Sequence, residues 1–442
     1  MKSDIILPKA SVRLTLALGA ALLIGSLLFG LLLARVQPHG HNGTVLDASR
    51  AVLAGQSMID SWLPMGKALQ VWRSPAGQDI YAKVFFAPGD AYQYPPAALF
   101  FAMMLDAKPA PVPTPLETFT LFAALAVVAL STAYIFERMM ALRGFELGSS
   151  WQRALRWIFV AALSLTFYPV VRAFELGQAQ LWIDALFAAA LAAWLARRPA
   201  LSGVLVGAIC LLKPQLSLLL VWGIIRKQWS FAGAIAAFCA VTFGVALIYF
   251  GLQNHLSYLK VLSVLSQHGE SVYPNQSVNG LLGRLMSLQD PESFNNLKWR
   301  ESLPPYHPLI YWGTMISSIL ILLPALLWRS EGNLIQRTLD LCTMALSATI
   351  ASPIAWNHHY GVVFPIFAVA LISAWGRWVT VGMIGISYVV ASHFLPFTGE
   401  FARSKLNFVQ SYLFFAMLLL LAVLYELRTR SLPAQLHATS SS

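Results

Sequence analysis

Apolar residues along this chain come in long blocks, and short polar clusters separate them. Leu14 to Ala34, Phe119 to Phe136 and Tyr412 to Tyr425 contain no charged residue. Such blocks lack the one-sided periodicity of amphipathic helices. In helical form about 20 apolar residues cross a hydrocarbon core of about 30 Å. The pattern therefore predicts an all-α, polytopic bundle of about ten spanning helices. They are placed near 12–34, 116–137, 154–172, 177–196, 229–250, 309–328, 338–354, 359–374, 378–396 and 408–427.

The 199–225 segment does not fit a simple span. Arg197-Arg198 and Arg226-Lys227 flank it, while Lys213 and Pro214 interrupt its middle. Two half-helices in a re-entrant hairpin reconcile a shared side with a broken centre. The alternative is one long helix that inverts the topology of everything after it. Irregular backbone at membrane depth is tolerated beside protein or a wet cavity. Between the spans lie two large loops, 35–115 and 251–308. The first has helix-like stretches at Val45 to Ala54 and Trp62 to Val71, then an apolar run, Ala97 to Leu105, too short to span. These read as interfacial helices. The whole of 1–442 reads as one integral membrane domain.

Composition strengthens this picture. Of 442 residues 57% are hydrophobic and 11% charged, against roughly 25% charged in a soluble domain. The net charge of +11 does not indicate nucleic acid, since no basic stripe is interleaved with aromatics. Instead the basic residues punctuate the apolar blocks: Lys2, Lys9 and Arg13, then Arg138, Arg143, Arg153 and Arg156, then Arg197, Arg198, Arg226, Lys227, Arg329, Arg337, Arg377, Arg428 and Arg430. By the positive-inside rule these short connections, and both termini, are cytoplasmic. Cys210, Cys239 and Cys342 lie in apolar segments without CxxC spacing and read as small core residues, with neither a disulfide framework nor a metal site.

An ionisable residue at membrane depth is costly and is a functional candidate by default. The polar residues gather at the opposite, outer ends of the predicted helices. They are Arg172, Glu175 and Gln178, Lys213 at the hairpin tip, and Asn357, His358 and His359. Asp47, Asp60, Asp79 and Asp90 add carboxylates in the first loop. Such a set suits binding an anionic phosphate and moving a proton from a hydroxyl. The plainer readings stay open. Lys213 can snorkel, the histidines can be interfacial hydrogen-bonding groups, and Asp184 can be structural or line the cavity. Adjacent helical residues point about 100° apart, so one histidine at most is expected to face a given site. Asn275-Gln276-Ser277 also fits a glycosylation tripeptide.

At this point the residues resemble a family. Tyr92-Gln93-Tyr94-Pro95-Pro96, Glu175-Leu176-Gly177-Gln178 and Leu212-Lys213-Pro214 look like its YxYPP, GQ and KP elements. Asn275-Gln276-Ser277 with Gly280-Leu281-Leu282 and Arg284 resembles its NQS…GLLxR stretch. Ser352-Pro353-Ile354-Ala355-Trp356-Asn357-His358-His359-Tyr360 resembles its SPxxWxHHY element. These elements, in order over residues 92 to 360, are similar to glycosyltransferase family 87 of the GT-C superfamily.

The resemblance implies a hexosyltransferase, usually inverting, with no cofactor. The donor would be a polyprenyl-phosphate-linked hexose, with mannose expected, and the acceptor a lipid-linked or cell-envelope glycan. It would lie in a bacterial inner membrane, with its site facing the exterior. Tyr94, Glu175, Gln178, Lys213, Asn275, Gln276, Arg284, His358 and His359 would bind substrate, with Lys213 and Arg284 meeting the leaving phosphate. The family's general base is an Asp in a D-[FL]-x-x-Y stretch, but here the matching position falls near His41 and Asn42. Asp47 is the nearest carboxylate and the expected base, with Asp60 second. The rival reading is a transporter or flippase of lipid-linked glycans. Transporters often carry inverted repeats, and no internal repeat is evident in the sequence.

Overall fold

The structure, a computed structural model, describes residues 10–36, 44–74, 79–87, 92–286, 303–329 and 332–429; Lys2, Lys9, His41, Asn42, Asp90 and Arg430 lie outside the described residues. Among the described residues there is no strand, and the helices run in the order α1 (Ala10–Val36), α2 (Val45–Leu53), α3 (Trp62–Trp72), α4 (Ile80–Val84), α5 (Leu99–Met104), α6 (Pro115–Leu142), α7 (Ser150–Ser164), α8 (Tyr168–Glu175), α9 (Gln180–Leu195), α10 (Pro199–Cys210), α11 (Leu218–Ile225), α12 (Trp229–His268), α13 (Val278–Leu285), α14 (Pro308–Leu327), α15 (Leu334–Ile350), α16 (Val363–Ser373), α17 (Trp378–Ala391) and α18 (Tyr412–Thr429). Several starts are fixed by reciprocal caps that the sequence spells out. Thr44 pairs with Asp47, Thr114 with Glu117, Ser149 with Gln152 and Asn333 with Gln336. Each box satisfies two backbone donors that the first helical turn would otherwise leave unpaired.

The chain is a multi-pass membrane protein. Its outer helices turn large apolar side chains away from the core. Ile248 of α12 is 87% exposed, and Leu309, Ile316 and Leu320 of α14 are exposed too. Such a surface would aggregate in water and suits lipid. A helix stands at every position expected to span. By length and apolarity, however, five helices among the described residues can cross a bilayer, or six if the bent pair α7–α8 counts as one. The others are short, and the reason is local. α7 and α8 meet at 60° before Tyr168-Pro169, and α16 is preceded by a 3-10 turn, Asn357–Val362. The breaks fall where polar residues gather.

The 199–225 segment is a hairpin. Gly203 of α10 packs on the backbone of Phe231, and Gly223 of α11 packs on the ring of the same residue. Trp194, Trp222 and Phe231 form a mutually edge-on trio with ring centroids 5.6–5.8 Å apart. The end of α9, both ends of the hairpin and the start of α12 therefore share one end of the bundle. Arg138 Nε donates to Leu195 O there, at 3.4 Å. Asp340 bridges Arg226 and Arg428 at 2.5 and 2.7 Å, joining α11, α15 and α18. Lys213 and the 3-10 turn Pro214–Ser217 occupy the opposite end.

One element runs longer than expected. The span placed at 229–250 continues as α12 to His268 through a break at Gly251, whose φ of 76° suits glycine. Beyond the break the helix is inverted in polarity. Leu252, Leu256 and Leu259 are exposed while Asn254 and Ser257 are buried. The polar face holds the first loop: Asn254 Oδ1 accepts from Ile80 N at 2.8 Å, and Ser257 Oγ donates to Asp79. Asp79 also caps α4.

Candidate functional site

The site is assembled at the Lys213 end from three segments. The first is the connection between α2 and α3. Met58 N donates to Glu175 O at 2.7 Å and Asp60 N to Leu176 O at 3.0 Å, so residues 58–60 run along the end of α8. Close approach is possible because Gly177 has no side chain and adopts φ +65°; a Cβ there would collide with Met58 O. Gly177→Ala is expected to cost at least about 1 kcal/mol from the left-handed backbone alone. It should also displace Asp60, which a thermal melt together with a donor-binding titration would register.

Ser61 then organises the amides. Its Oγ donates to Gln178 Oε1 at 2.8 Å and accepts from Ala179 N at 2.9 Å. Tyr94 Oη lies 2.8 Å from Ser61 Oγ and 3.3 Å from Gln178 Oε1. With its oxygen so engaged, Gln178 turns its Nε2 to donate to Asp60 Oδ2. Asp60 is open to solvent, yet the protein mass around it pushes its carboxyl above the ordinary carboxylate value. The Gln178 hydrogen bond and the Arg172 charge oppose the shift, because both favour the carboxylate.

Arg172 links this segment to the rest. Its Nη1 pairs with Glu175 at 2.7 Å, with both side chains largely buried. It acts electrostatically on Asp60 and on His358. Lys213, at the hairpin tip, acts on His358, His359 and Asp184. The two imidazole rings lie 4.7 Å apart, so both are held at the same place in the fold. A 3-10 turn does not space neighbours as an α-helix does, and Trp356 stacks on His359 at 5.9 Å while meeting His358 edge-on at 5.4 Å. The two imidazoles stand nearly perpendicular, at 87°.

The remaining expected residues are placed differently. Asp47 Oδ2 accepts from Thr44 N and Oγ1, both at 2.8 Å, and Oδ1 pairs with Arg50 at 3.4 Å. Its carboxylate is occupied at the start of α2. Asn275, Gln276 and Arg284 are buried, and their hydrogen bonds run within the protein. Asn275 Nδ2 donates to Glu270 O at 2.8 Å and Pro353 O at 3.1 Å, and its Oδ1 accepts from Ala355 N at 3.0 Å. This engagement also removes the glycosylation reading. Gln276 N donates to Ala355 O at 2.7 Å, and its Nε2 donates to Gln410 O at 2.7 Å. The Arg284 guanidinium donates to Val272 O and Asn275 O, each at 2.9 Å, and to Ser411 Oγ at 2.7 Å. Asn275 and Gln276 dock the 270–277 and 353–357 loops on each other, next to His358 and His359, and Arg284 ties the first of these loops to Ser411. Among the described residues no three His, Cys, Asp or Glu side chains converge to hold a metal ion.

The cluster of Tyr94, Glu175, Gln178, Lys213, His358 and His359 thus forms around two residues that the sequence ranked lower or left unassigned, Asp60 and Arg172. A cation paired three residues from an acid, beside a Gly-Gln turn, was the available signal for Arg172.

A family model, Glycosyltransferase family 87, matches residues 92–353, more than half of the chain and all of the cluster except Asp60, His358 and His359. Among curated proteins, a polyprenol-phosphate-mannose-dependent alpha-(1-2)-phosphatidylinositol pentamannoside mannosyltransferase of Mycolicibacterium smegmatis is 25% identical over 313 residues, 68% of each chain. No solved structure gives a significant match. On the matched segment and the helical membrane architecture, this chain belongs to glycosyltransferase family 87 and is a membrane glycosyltransferase.

Proposed function

We propose that the protein transfers a hexose, mannose by the similarity to the mycobacterial enzyme, from a polyprenyl-phosphate donor to a lipid-linked or cell-envelope glycan. One observation carries the reading: Asp60 is held by Gln178 and feels the charge of Arg172, and Arg172 with Lys213 acts on the paired imidazoles of His358 and His359 at the same end of the bundle. A lone cation site would serve transport as well. A recessed carboxylate near cations divides the labour that glycosyl transfer needs.

In that reaction Asp60 takes the acceptor hydroxyl proton as the oxygen attacks the anomeric carbon. The carbon–oxygen bond to phosphate breaks on the opposite face, which inverts the anomeric centre. Its electron pair stays on the phosphate, which changes from a diester with one charge to a monoester with two. Lys213 and Arg172 stabilise that growing charge, as cations fixed in advance by the fold do. Glu175 fixes one edge of the Arg172 guanidinium. Gln178 and Tyr94 fix Asp60, and His358 and His359 donate to phosphate or sugar oxygens. Asn275 and Gln276 act by holding the two loops together, and Arg284 by fixing the first of them to Ser411. The test is assay of purified protein with labelled polyprenyl-phosphate hexoses and an envelope lipid extract, beside the Lys213→Ala and Asp60→Asn variants.

The site faces the exterior in this reading. The end away from the cluster carries Arg138, Arg143, Arg153, Arg197, Arg198, Arg226 and Lys227, and positive connections stay cytoplasmic. Cysteines placed at Glu146 and Lys260, both exposed, should react with an impermeant reagent from opposite faces. Reaction of both from outside contradicts this orientation.

A further inference from the structure

We propose that Asp184 is a positioning residue for Lys213, a carboxylate set beneath the hairpin tip that holds the ammonium where the donor phosphate arrives. The inference rests on the reading of Lys213 as a phosphate ligand. Asp184 is fully buried in the first turns of α9. Its Oδ1 accepts from Gln180 Nε2, one helical turn earlier, at 2.6 Å. Its Oδ2 has no hydrogen-bond partner among the described residues. Gly361 lies directly against the carboxylate and has no side chain to offer it.

A buried carboxylate with a vacant oxygen is costly unless a donor reaches it. Two more buried acceptors, Gln180 Oε1 on α9 and Asn357 Oδ1 on the neighbouring turn, and the ring nitrogen His358 Nε2 also have no partner among the described residues. α10 folds back along α9 after a short connection and packs on it, so Lys213, just past the end of α10, comes to the first turns of α9 where Asp184 sits, and it brings three N–H groups on a flexible stem. Arg172 is engaged with Glu175. The turn Asn357–Val362 packs on α9. One structure thus presents donors from the tip and acceptors from α9 and the histidine turn. With the substrate absent, Asp184 keeps the ammonium from wandering; when donor arrives, the ammonium shares its N–H groups between carboxylate and phosphate.

The test uses full-length purified protein and two probes, polyprenyl monophosphate for binding and the transfer reaction for pH dependence. Asp184→Asn keeps the shape and removes the charge. It should weaken polyprenyl monophosphate binding about tenfold in the natural protein, yet less than about twofold in a Lys213→Ala background, since a residue acting through Lys213 is silent without it. The alkaline limb of kcat/KM should also move to lower pH, because loss of a neighbouring negative charge favours the neutral amine. The charged or titratable groups around Lys213 are Asp184 from α9, His358 and His359 from the turn, and Arg172 behind them. The charged residues of α15, Arg337 and Asp340, lie toward the far end.

Equal losses in both backgrounds would make Asp184 a support of the turn and overturn the proposal. Unchanged binding in Lys213→Ala alone would instead overturn the phosphate role of Lys213. If Asp184→Asn does not accumulate, the double variant Lys213→Met with Asp184→Asn decides. Recovery of folded protein supports a matched pair, and a double variant as poor as the single one contradicts it.

Discussion

Asp60→Asn is expected to lower turnover by about 10² to 10⁴, the usual contribution of a general base, while leaving donor binding nearly intact. The substitution keeps the size of the side chain, and the Gln178 contact can re-form when the new amide turns its oxygen toward Gln178 Nε2. Asp47→Asn is the comparison. Its carboxylate caps α2 and pairs with Arg50, so its loss should cost about 1 kcal/mol of stability and change turnover little in equal amounts of folded protein. The pH profile sharpens the contrast. Only the ionised form of Asp60 can accept a proton, and the surrounding protein pushes its carboxyl upward. The acidic limb of kcat/KM should therefore lie above the range of a solvated carboxylate, with activity rising as pH rises through it. Asp60→Asn should abolish that limb and Asp47→Asn should leave it in place. Normal turnover in Asp60→Asn with loss in Asp47→Asn would reverse the assignment.

Lys213→Ala carries the second large effect. A cation that meets a phosphate leaving group acts more strongly in the transition state than on the bound donor, as its charge grows. Donor affinity should fall by about tenfold or more, and turnover by a further factor of about 10². Lys213→Arg should retain part of both, since the charge persists but the planar fork fits a different geometry. Measured donor affinity that is unchanged in Lys213→Ala would return this residue to an interfacial lysine with its head in water.

Much of the architecture was legible because it rests on local signals. The apolar blocks placed the helices, and the Arg197-Arg198 and Arg226-Lys227 flanks around Lys213-Pro214 specified a hairpin whose two legs meet Phe231. What local signals could not supply was which helices would be short. α8 and the 357–362 turn break because polar side chains converge there, a tertiary cause. The same limit governs the site. Asp47 and Asp60 look equivalent as carboxylates in one loop, and chain position favours the first. Thr44, three residues earlier, was the local clue that Asp47 is a cap. The partners of Asp60 are Gln178 and Arg172, more than a hundred residues away in the chain. Asn275, Gln276 and Arg284 look like ligands because they are polar within an apolar chain. Burial and internal hydrogen bonds give them a scaffolding part, and only the folded loops reveal which carbonyls they reach.

The central claim is that this cluster transfers sugar from a polyprenyl phosphate. The most direct measurement places purified protein in liposomes with a labelled polyprenyl-phosphate hexose and a lipid acceptor, then follows both lipids. Label should pass to the acceptor with inverted anomeric configuration and polyprenyl monophosphate should be released in equal amount, neither occurring with Asp60→Asn. Label that stays on polyprenyl phosphate while the intact donor crosses the bilayer would contradict it and identify a transporter.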